Sequence, residues 1–561
     1  MNRSVVPFVG AGFSYDALHP AGWRSSRSCM PDLLRVAIRN ILATQPPCQG
    51  NPTHCALLDE IDTATLDRLA EWLTWLSGPV AVCHAAGIAD YQKLFPLPSH
   101  RYLAGLAREG LVEEVITTNY DCCIETAFDQ SFGPASKRAG ESRAVVTSLQ
   151  HYRTYAAAHQ RPGHLLIYKV NGCAREFAAV DPTKRAELET AAERIVLTER
   201  QLQGFRRENW ARDLFQDRAR TRTLMFSGFG SDEPQIRHTA LTLMEEFGRD
   251  SGRTPPVDAM ALPNAPFLHS HDGKLSFNQR QVMLGFLHAH ANPTVGTAEL
   301  MPDLDVVCRN VIGPKARADN LLTASDFMAD LFVRCWAKRA IEQIDQVLTV
   351  WLRNLVPNFR HWTDFLKEQI CPGIHGDPAS PPSDPVREAL SFGKATTQPL
   401  FRLLWRMHAP QSPAVPDGWY LPLREEPLQV LATLLLLLLA KPSSSDPEPT
   451  LEFAEGSDAG DPLKVGLIGG DSIESLRERP WSGGGTRLVR LIAVPGTTSG
   501  PLEGRLVERR GTDPGAPVHI GRYAVLPLDD AIRAAGSPER FGAALRGAFA
   551  DLRSRSNAAL N

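Results

Sequence analysis

Short apolar runs alternate with stretches of helical periodicity in the first half of the chain. The apolar runs predict buried β-strands at residues 5–9, 115–118, 165–170 and 223–227, with a weaker strand at 265–269. Between them, residues 31–42 and 64–76 repeat apolar side chains at the spacing of amphipathic helices. Strands separated by helices pair in parallel, so the pattern predicts an α/β fold with a Rossmann-like, doubly wound parallel sheet.

Polar residues follow each of the four main predicted strands. The segments are GAGFS at 10–14, TTNYD at 117–121, NG at 171–172 and GFGSDEP at 228–234. Ligands of a doubly wound sheet bind at the carboxyl edge of its strands. The four segments are therefore expected to converge on one binding crevice.

The turn at residues 10–14 has two interpretations. A strand, a glycine turn and a helix N-terminus together form a phosphate cradle, because backbone N–H groups point outward and the helix dipole favours an anion. The segment lacks the full G-x-G-x-x-G fingerprint of dinucleotide-binding proteins, and an ordinary tight turn is the alternative.

In the second half of the chain, the sequence pattern predicts helices followed by short strands. Residues 324–355 have the pattern of one long amphipathic helix or two, and short strands are predicted beyond an acidic, serine-rich stretch at 443–462. The predicted domains are a nucleotide-binding domain at 1–292, a mainly helical region at 293–442 and a small α+β region at 443–561.

Composition narrows the class of protein. The formal net charge of −3 gives no general attraction to nucleic acid or anionic membranes, so direct nucleic-acid binding is not expected. The ten cysteines form no C-x-x-C pairs, which argues against a zinc module, any other metal site and a disulfide framework. The most apolar run, residues 428–440, is too short to span a bilayer and predicts a buried helix. With no signal peptide at the N-terminus, these features predict a cytoplasmic protein.

The four strand-end segments resemble, in the same order, those of the bacterial sirtuin-like family. These proteins are NAD-cleaving relatives of the sirtuin deacetylases and occur in antiphage defence systems. The segment TTNYD is the most specific of the four, and the resemblance covers about residues 1–290. It implies a sirtuin-like fold and NAD as the substrate.

The resemblance also implies a role for each segment. Asn119 and Asp121 would lie beside the nicotinamide ribose, where an amide can hold the attacking water and a carboxylate can stabilise developing positive charge. Alternatively, Asn119 is a turn residue and Asp121 caps a helix. The first turn is expected to bind the pyrophosphate of NAD, and the last segment its adenosine side. The expected NAD-binding residues are Gly10, Ala11, Gly12, Phe13, Ser14, Thr118, Gly228, Gly230 and Ser231.

The chain departs from the family pattern at Gly230, where serine is usual, at Glu233, where aspartate is usual, and most importantly at Asn171. Asn171 stands where the family has a histidine that acts as general base, and an amide takes no proton near neutral pH. Asn171 can still orient a water or a ribose hydroxyl, and is kept as a catalytic candidate. Zinc-dependent deacetylation is not expected, because the chain lacks the paired cysteines of that zinc module.

Two functions are consistent with these residues. The first is an NAD hydrolase that releases nicotinamide, gives ADP-ribose and acts as the effector of an antiphage system, activated by a partner or by assembly. The second is a catalytically silent subunit that binds NAD or ADP-ribose as a regulatory signal. The resemblance further implies a homo-oligomer and a protein partner such as a HerA-like ATPase or, with less support, a short Argonaute.

Overall fold

The structure is a computed structural model. It describes residues 5–26, 28–44, 58–108, 111–131, 143–156, 165–204, 210–228, 267–269, 323–375, 380–389, 464–467, 488–494, 503–509, 518–541 and 544. The chain divides into two compact units, Met1–Ala329 and Asp330–Asn561. The three predicted domains stay a prediction, because both predicted boundaries lie outside the described residues.

A parallel sheet forms the centre of the first unit. Its strands are β1 (Val5–Val9), β2 (Glu114–Thr117), β3 (Arg143–Val146), β4 (Leu165–Lys169), β5 (Thr223–Ser227) and β6 (Phe267–His269). Their order across the sheet is β3-β4-β2-β1-β5-β6, and every neighbouring pair is parallel. The predicted α/β, Rossmann-like sheet is confirmed. Because β1 lies between β2 and β5, the chain reverses its direction of travel across the sheet beside β1, which is where doubly wound sheets bind ligands.

Strand β3 was not predicted from the sequence. It has only four residues, and buried side chains alternate with half-buried ones along it. An edge strand of this length carries little apolar signal, since only one of its faces is covered.

The helices of the first unit have these bounds: α1 (Cys29–Thr44), α2 (Leu66–Ala85), α3 (Pro98–Arg108), α4 (Cys123–Ser131), α5 (Leu149–Ala156), α6 (Ala174–Ala178), α7 (Arg185–Glu193), α8 (Glu199–Gly204) and α9 (Trp210–Thr221). Two 3₁₀ turns occur at Ala11–Ser14 and Ile88–Lys93. Helix α2 extends past its predicted end at residue 76. The reason is a kink at Gly78, whose φ of 86° lets the chain turn before Pro79 and resume a helix.

Alternation along the strands sends side chains to opposite faces of the sheet. Phe8 and Phe226 point to one face, where their rings lie 5.4 Å apart and pack with Phe215 of α9. A separate core joins α1, α2, α6 and α7 around buried side chains that include Leu34 and Phe177. Apolar burial on this scale stabilises the layers and holds the strand ends in fixed positions.

The second unit combines helices with a smaller sheet. Its helices are α10 (Ala324–Gln343, which begins in the first unit), α11 (Thr349–Leu355), α12 (Phe359–Ile370), α13 (Asp384–Ala389) and α14 (Leu528–Ala535). A π-helical segment, Ile344–Leu348, joins α10 to α11, so the predicted helical stretch is one interrupted helix. The strands β7 (Lys464–Leu467), β8 (Leu488–Val494), β9 (Glu503–Arg509) and β10 (Val518–Pro527) form a mixed sheet in the order β7-β8-β10-β9.

Within the described residues, no helix combines the length and the apolar character that crossing a membrane requires. The predicted helix at 428–440 and the acidic stretch at 443–462 lie outside the described residues.

Candidate functional site

The opening turn packs directly against the end of β5. The N–H of Gly10 donates to the carbonyl of Ser227 at 2.9 Å, and the N–H of Gly12 donates to the carbonyl of Gly228 at 2.7 Å. A Cβ on Gly12 would stand 2.8 Å from that carbonyl oxygen. The glycine is therefore required by a contact between two backbones, whatever the turn binds.

A buried hydrogen-bond chain links this turn to the TTNYD segment. Ser14 Oγ lies 3.1 Å from His100 Nε2, and the amide nitrogen of Asn119 donates to the same oxygen at 3.1 Å. The N–H of Leu97 donates to His100 Nδ1 at 3.1 Å. A neutral ring that accepts at Nδ1 carries its proton on Nε2 and so donates to Ser14. The Ser14 hydroxyl thus accepts two hydrogen bonds and keeps its own hydrogen as a donor.

His100 is a neutral positioning residue in this arrangement. Its side chain is fully buried, and its ring packs edge-on against Phe13 with 4.8 Å between centroids. Burial lowers the pKa of His100 to about 4, against the opposing effect of the negative charge of Asp121. The ring therefore stays uncharged at neutral pH and holds Ser14 and, through it, the Asn119 amide.

We expect the His100→Gln variant to lose less stability than the parent chain on acidification. Between pH 6.5 and 4 the unfolded His100 binds a proton that the folded residue does not, so its contribution to stability falls as pH falls. The difference in pKa corresponds to about 3 kcal/mol. Glutamine keeps a donor for Ser14 but does not titrate. Urea unfolding at several pH values should show the stability gap between the two proteins narrowing toward pH 4, and a constant gap would contradict the assignment.

At the carboxyl edge of the sheet, two amide oxygens have no donor within the part of the chain that the structure describes. Asn119 follows β2 and Asn171 follows the adjacent strand β4, and both side chains are buried. Among the described residues, neither Asn119 Oδ1 nor Asn171 Oδ1 has a hydrogen-bond partner. Buried acceptors are seldom left unpaired. Ribose hydroxyl groups would supply the missing donors, so the donor and acceptor chemistry at this edge fits NAD as a substrate.

Asp121 caps helix α4. Its Oδ1 accepts the N–H of Cys123 at 3.0 Å, and the side chain is only 6% exposed. Asp121 is therefore a helix cap, which was the alternative to a catalytic role. Because only one carboxylate oxygen makes the cap, the residue can still act beside the ribose as well. The cap fixes the orientation of the carboxylate at the end of β2.

Thr117 and Thr118 join this loop to β1: Thr117 Oγ1 donates to the Val9 carbonyl at 2.8 Å, and the Thr118 N–H donates to it at 3.2 Å.

A buried ion pair lies beneath the loops that follow β2 and β4. Lys169, the last residue of β4, places Nζ 2.8 Å from Glu125 Oε1 of α4, and each side chain is 1% exposed. The same ammonium donates to the carbonyls of Tyr120 and Asp121. Burial is the largest single effect and would lower the pKa of Lys169, but the negative charges of Glu125, Cys122, Cys173 and Asp121 together raise that pKa well above its usual value. Lys169 therefore anchors the backbone of the TTNYD segment.

The loop after β4 is held from its other side. Gly172 has a φ of 99°, and a Cβ there would stand 2.7 Å from the carbonyl oxygen of Arg194. The carbonyl of Asn171 accepts the N–H of Val196 at 3.0 Å, and the Tyr120 hydroxyl donates to the Val196 carbonyl at 2.6 Å. The segment 194–196 thus ties the Asn171 loop to the TTNYD loop.

Two groups of side chains in the described part of the chain have metal-ligand chemistry. In the group His100, Asp121 and Cys123, both ring nitrogens of the histidine already have hydrogen-bond partners. In the group Cys122, Glu125 and Cys173, the Lys169 ammonium already supplies a positive charge. The expectation of no metal stays a prediction.

Comparison with known protein families identifies the domain. Residues 113–282 match the family model of the SIR2-like domain. The chain carries a sirtuin-like domain. This domain supports a sirtuin-related NAD-binding function. The comparison with curated proteins gives no significant match. The family match begins at β2, but β1 lies between β2 and β5 in the same sheet, so the opening turn is structurally part of the sirtuin-like domain.

The structure brings most of the predicted site residues to one edge of the sirtuin-like domain. Gly10, Gly12, Ser14, Asn119 and Gly228 are joined by the contacts described above, while Ala11 is exposed and Phe13 is buried. Asp121 and Asn171 lie on the loops after β2 and β4. Gly230 and Ser231 lie outside the described residues. The assignment of all these residues to catalysis or NAD binding stays a prediction.

Sequence reasoning missed two residues of this site. Lys169 is a charged residue at the end of the otherwise apolar strand LLIYK, and a lysine at a buried strand position signals a buried partner. His100 lies in helix α3, and its contact with Ser14 spans 86 positions in sequence, so no local pattern indicates it.

Proposed function

We propose that the protein hydrolyses NAD to nicotinamide and ADP-ribose. The observation that carries the proposal is the buried Asn119 amide, whose nitrogen is fixed by Ser14 and whose oxygen has no donor among the described residues. An acceptor held this way can bind a ribose hydroxyl or orient the attacking water. The SIR2-like domain match supports NAD as the molecule bound.

The reacting bond joins nicotinamide to the ribose. As this bond breaks, positive charge develops on the ribose and is stabilised by a fixed negative charge nearby. The Asp121 carboxylate, oriented by the Cys123 N–H, is the candidate for this role. In a dissociative reaction of this kind most of the barrier is lowered by charge and positioning, so a general base contributes less than it does in deacetylation.

We expect Asn119→Ala to lower the rate of nicotinamide release by about 100-fold, the scale of losing one oriented polar group at a reacting centre. Asp121→Ala is expected to have an effect of similar size, although it also removes a helix cap. The assay follows nicotinamide release from NAD by the purified full-length protein, alone and with candidate partner proteins. Glu189→Gln, a change at a half-exposed surface carboxylate of α7, is the matched control and should leave the rate unchanged.

The second candidate function is NAD or ADP-ribose binding without catalysis. Asn171 favours it, because an amide replaces the family's general base and because His100, with both nitrogens engaged, does not supply another. Measurable NAD binding with no nicotinamide release under any activating condition would favour this function. An Asn171→His variant that releases nicotinamide about 100-fold faster would show that the parent chain lacks only the base.

We further propose that the activity serves antiphage defence and is controlled by assembly or by a protein partner. This part of the proposal is supported by the resemblance of the four strand-end segments to the sirtuin-like family of defence systems. Light scattering of the purified protein tests for a homo-oligomer. A plaque assay on bacteria that express the parent chain or Asn119→Ala tests the defence role, and equal plating of phage on both strains would contradict it.

A further inference from the structure

Cys122 and Cys173 lie side by side at the base of the two loops described above. Cys122 follows Asp121, and Cys173 follows Gly172. Their sulfur atoms are within 4.8 Å of each other. The backbones also adjoin, since the Ala174 N–H donates to the Tyr120 carbonyl at 2.9 Å. Two thiols held this close by adjoining backbones are candidates for a disulfide, in which the sulfur atoms lie about 2.05 Å apart.

The Lys169 ammonium favours a thiolate at this position. Its Nζ lies 3.4 Å from Cys173 Sγ and 3.8 Å from Cys122 Sγ. A hydrogen bond from the Cys122 thiol, together with the charge of Lys169, lowers the pKa of Cys173 to about 6, in spite of its burial and of the nearby Glu125 carboxylate. The same pairing raises the pKa of Cys122. Thiolate character and a neighbouring cation are the features of reactive cysteines.

A cavity borders Cys173, which is itself 4% exposed. The cavity has a volume of about 410 Å³ and lies between α6 and α7, and its lining includes the exposed residues Glu187, Thr190 and Arg194. Peroxide is close to water in size, so a cavity of this volume admits it readily. Cys123, which follows Cys122 in sequence, is not expected to react in this way. Its thiol donates to the Leu94 carbonyl, and burial raises its pKa.

We propose that Cys173 and Cys122 form a peroxide-oxidisable dithiol, with Cys173 as the attacking thiolate and Cys122 as the resolving thiol. The Cys173 sulfur attacks one oxygen of hydrogen peroxide, the O–O bond breaks, and the products are a sulfenic acid and water once the leaving hydroxide takes a proton. The Cys122 sulfur then attacks the sulfenic sulfur, the S–S bond forms, and a second water leaves with the Cys122 proton. Two thiols are oxidised to one disulfide, and one hydrogen peroxide is reduced to two waters.

The disulfide would join the segment after Asp121 to the segment after Asn171. It would also remove the thiolate that faces Lys169 and so shift the ammonium that anchors the TTNYD backbone. We expect it to slow NAD hydrolysis severalfold, with recovery on reduction by dithiothreitol. The effect on rate rests on the proposed function, whereas formation of the disulfide does not.

The test treats the full-length protein with hydrogen peroxide, alkylates remaining thiols under denaturing conditions and maps the non-reduced digest by mass spectrometry. The expected result is a linked peptide pair that contains Cys122 and Cys173, is lighter by two hydrogens and is lost in Cys173→Ser. In Cys122→Ser, oxidation should stop at a sulfenic acid on Cys173 that dimedone traps. Cys123→Ala is the matched control and should retain the link.

Cys83 serves as an internal reference in the same digest, because burial raises the pKa of its thiol to about 12 and Cys83 should stay reduced. A Cys122–Cys123 bond, or Cys173 oxidised no faster than Cys83, would overturn the proposal. A protein that forms the predicted link but releases no nicotinamide in either redox state would contradict the proposed function and leave the dithiol supported. A protein that forms the link and hydrolyses NAD equally fast in both states would overturn the effect on rate.

Discussion

Lys169→Met is expected to lower the free energy of unfolding of the sirtuin-like domain by about 3–5 kcal/mol. Glu125, buried to 1% exposure, would lose its only ion-pair partner in the described structure, and the carbonyls of Tyr120 and Asp121 would lose a donor. A buried carboxyl without a cation is tolerated only when it is neutral, so the loss should be larger at pH 8 than at pH 5. Urea unfolding at both pH values measures it.

The matched control removes both charges. Lys169→Met combined with Glu125→Leu leaves no unpaired ion, and we expect it to recover most of the stability that the single substitution loses. Because the Tyr120 and Asp121 carbonyls still lack the bonds from the Lys169 ammonium, the double variant should bind NAD more weakly than the parent chain. A double variant no more stable than Lys169→Met would show that the ion pair is not the source of the loss.

Gly228→Ala is expected to destabilise the domain by about 3–5 kcal/mol, the sum of a left-handed backbone cost and an overpacking cost. Gly228 has a φ of 60°, and a Cβ there would stand 2.1 Å from the nitrogen of Phe13 and 2.6 Å from the carbonyl carbon of Gly12. Both atoms belong to the backbone of the opening turn, which cannot rotate away as a side chain could. The clash can therefore be relieved only if the ends of β1 and β5 move apart. Urea unfolding and NAD binding are the measurements.

Gly22→Ala separates the two costs. Gly22 has a similar positive φ of 88°, but a Cβ there would meet no atom within 4 Å. We expect this variant to lose only about 1–2 kcal/mol. Equal losses for the two alanine variants would mean that the contact between Gly12 and Gly228 does not constrain the turn.

Several parts of the fold could be predicted from the sequence because their signals are local. The runs at 5–9 and 223–227 are continuous apolar segments between polar ends, and β1 and β5 have those same bounds. The polar strand ends also follow from local sequence, and the rule that parallel strands share a carboxyl edge then predicts a common crevice. Edge strand β3 escaped this reasoning because half of its side chains are only partly buried.

The candidate site was less predictable because its contacts are distant in sequence. The motif residues Asn119 and Ser14 were identified by their positions, but their mutual hydrogen bond spans 105 residues. The opening glycines were interpreted as a cradle for phosphate, whereas the structure adds a contact between Gly12 and Gly228 that needs glycine with or without a ligand. Sequence spacing alone does not show whether a glycine is needed to bind a phosphate or to let two backbones pack together.

The sequence by itself determined the parallel α/β class of the first unit, the strand ends that carry polar residues and the asparagine at position 171 in place of the family's histidine. These depend on residue type and on periods of a few residues, which local sterics and hydrophobicity dictate. Only the tertiary structure decided that Lys169 pairs with Glu125, that His100 holds Ser14 and that Cys122 lies beside Cys173. Those pairings depend on the position of β4 in the sheet and on how helices α3 and α4 pack against it. Contacts between residues distant in sequence determine that packing, so no local pattern predicts it.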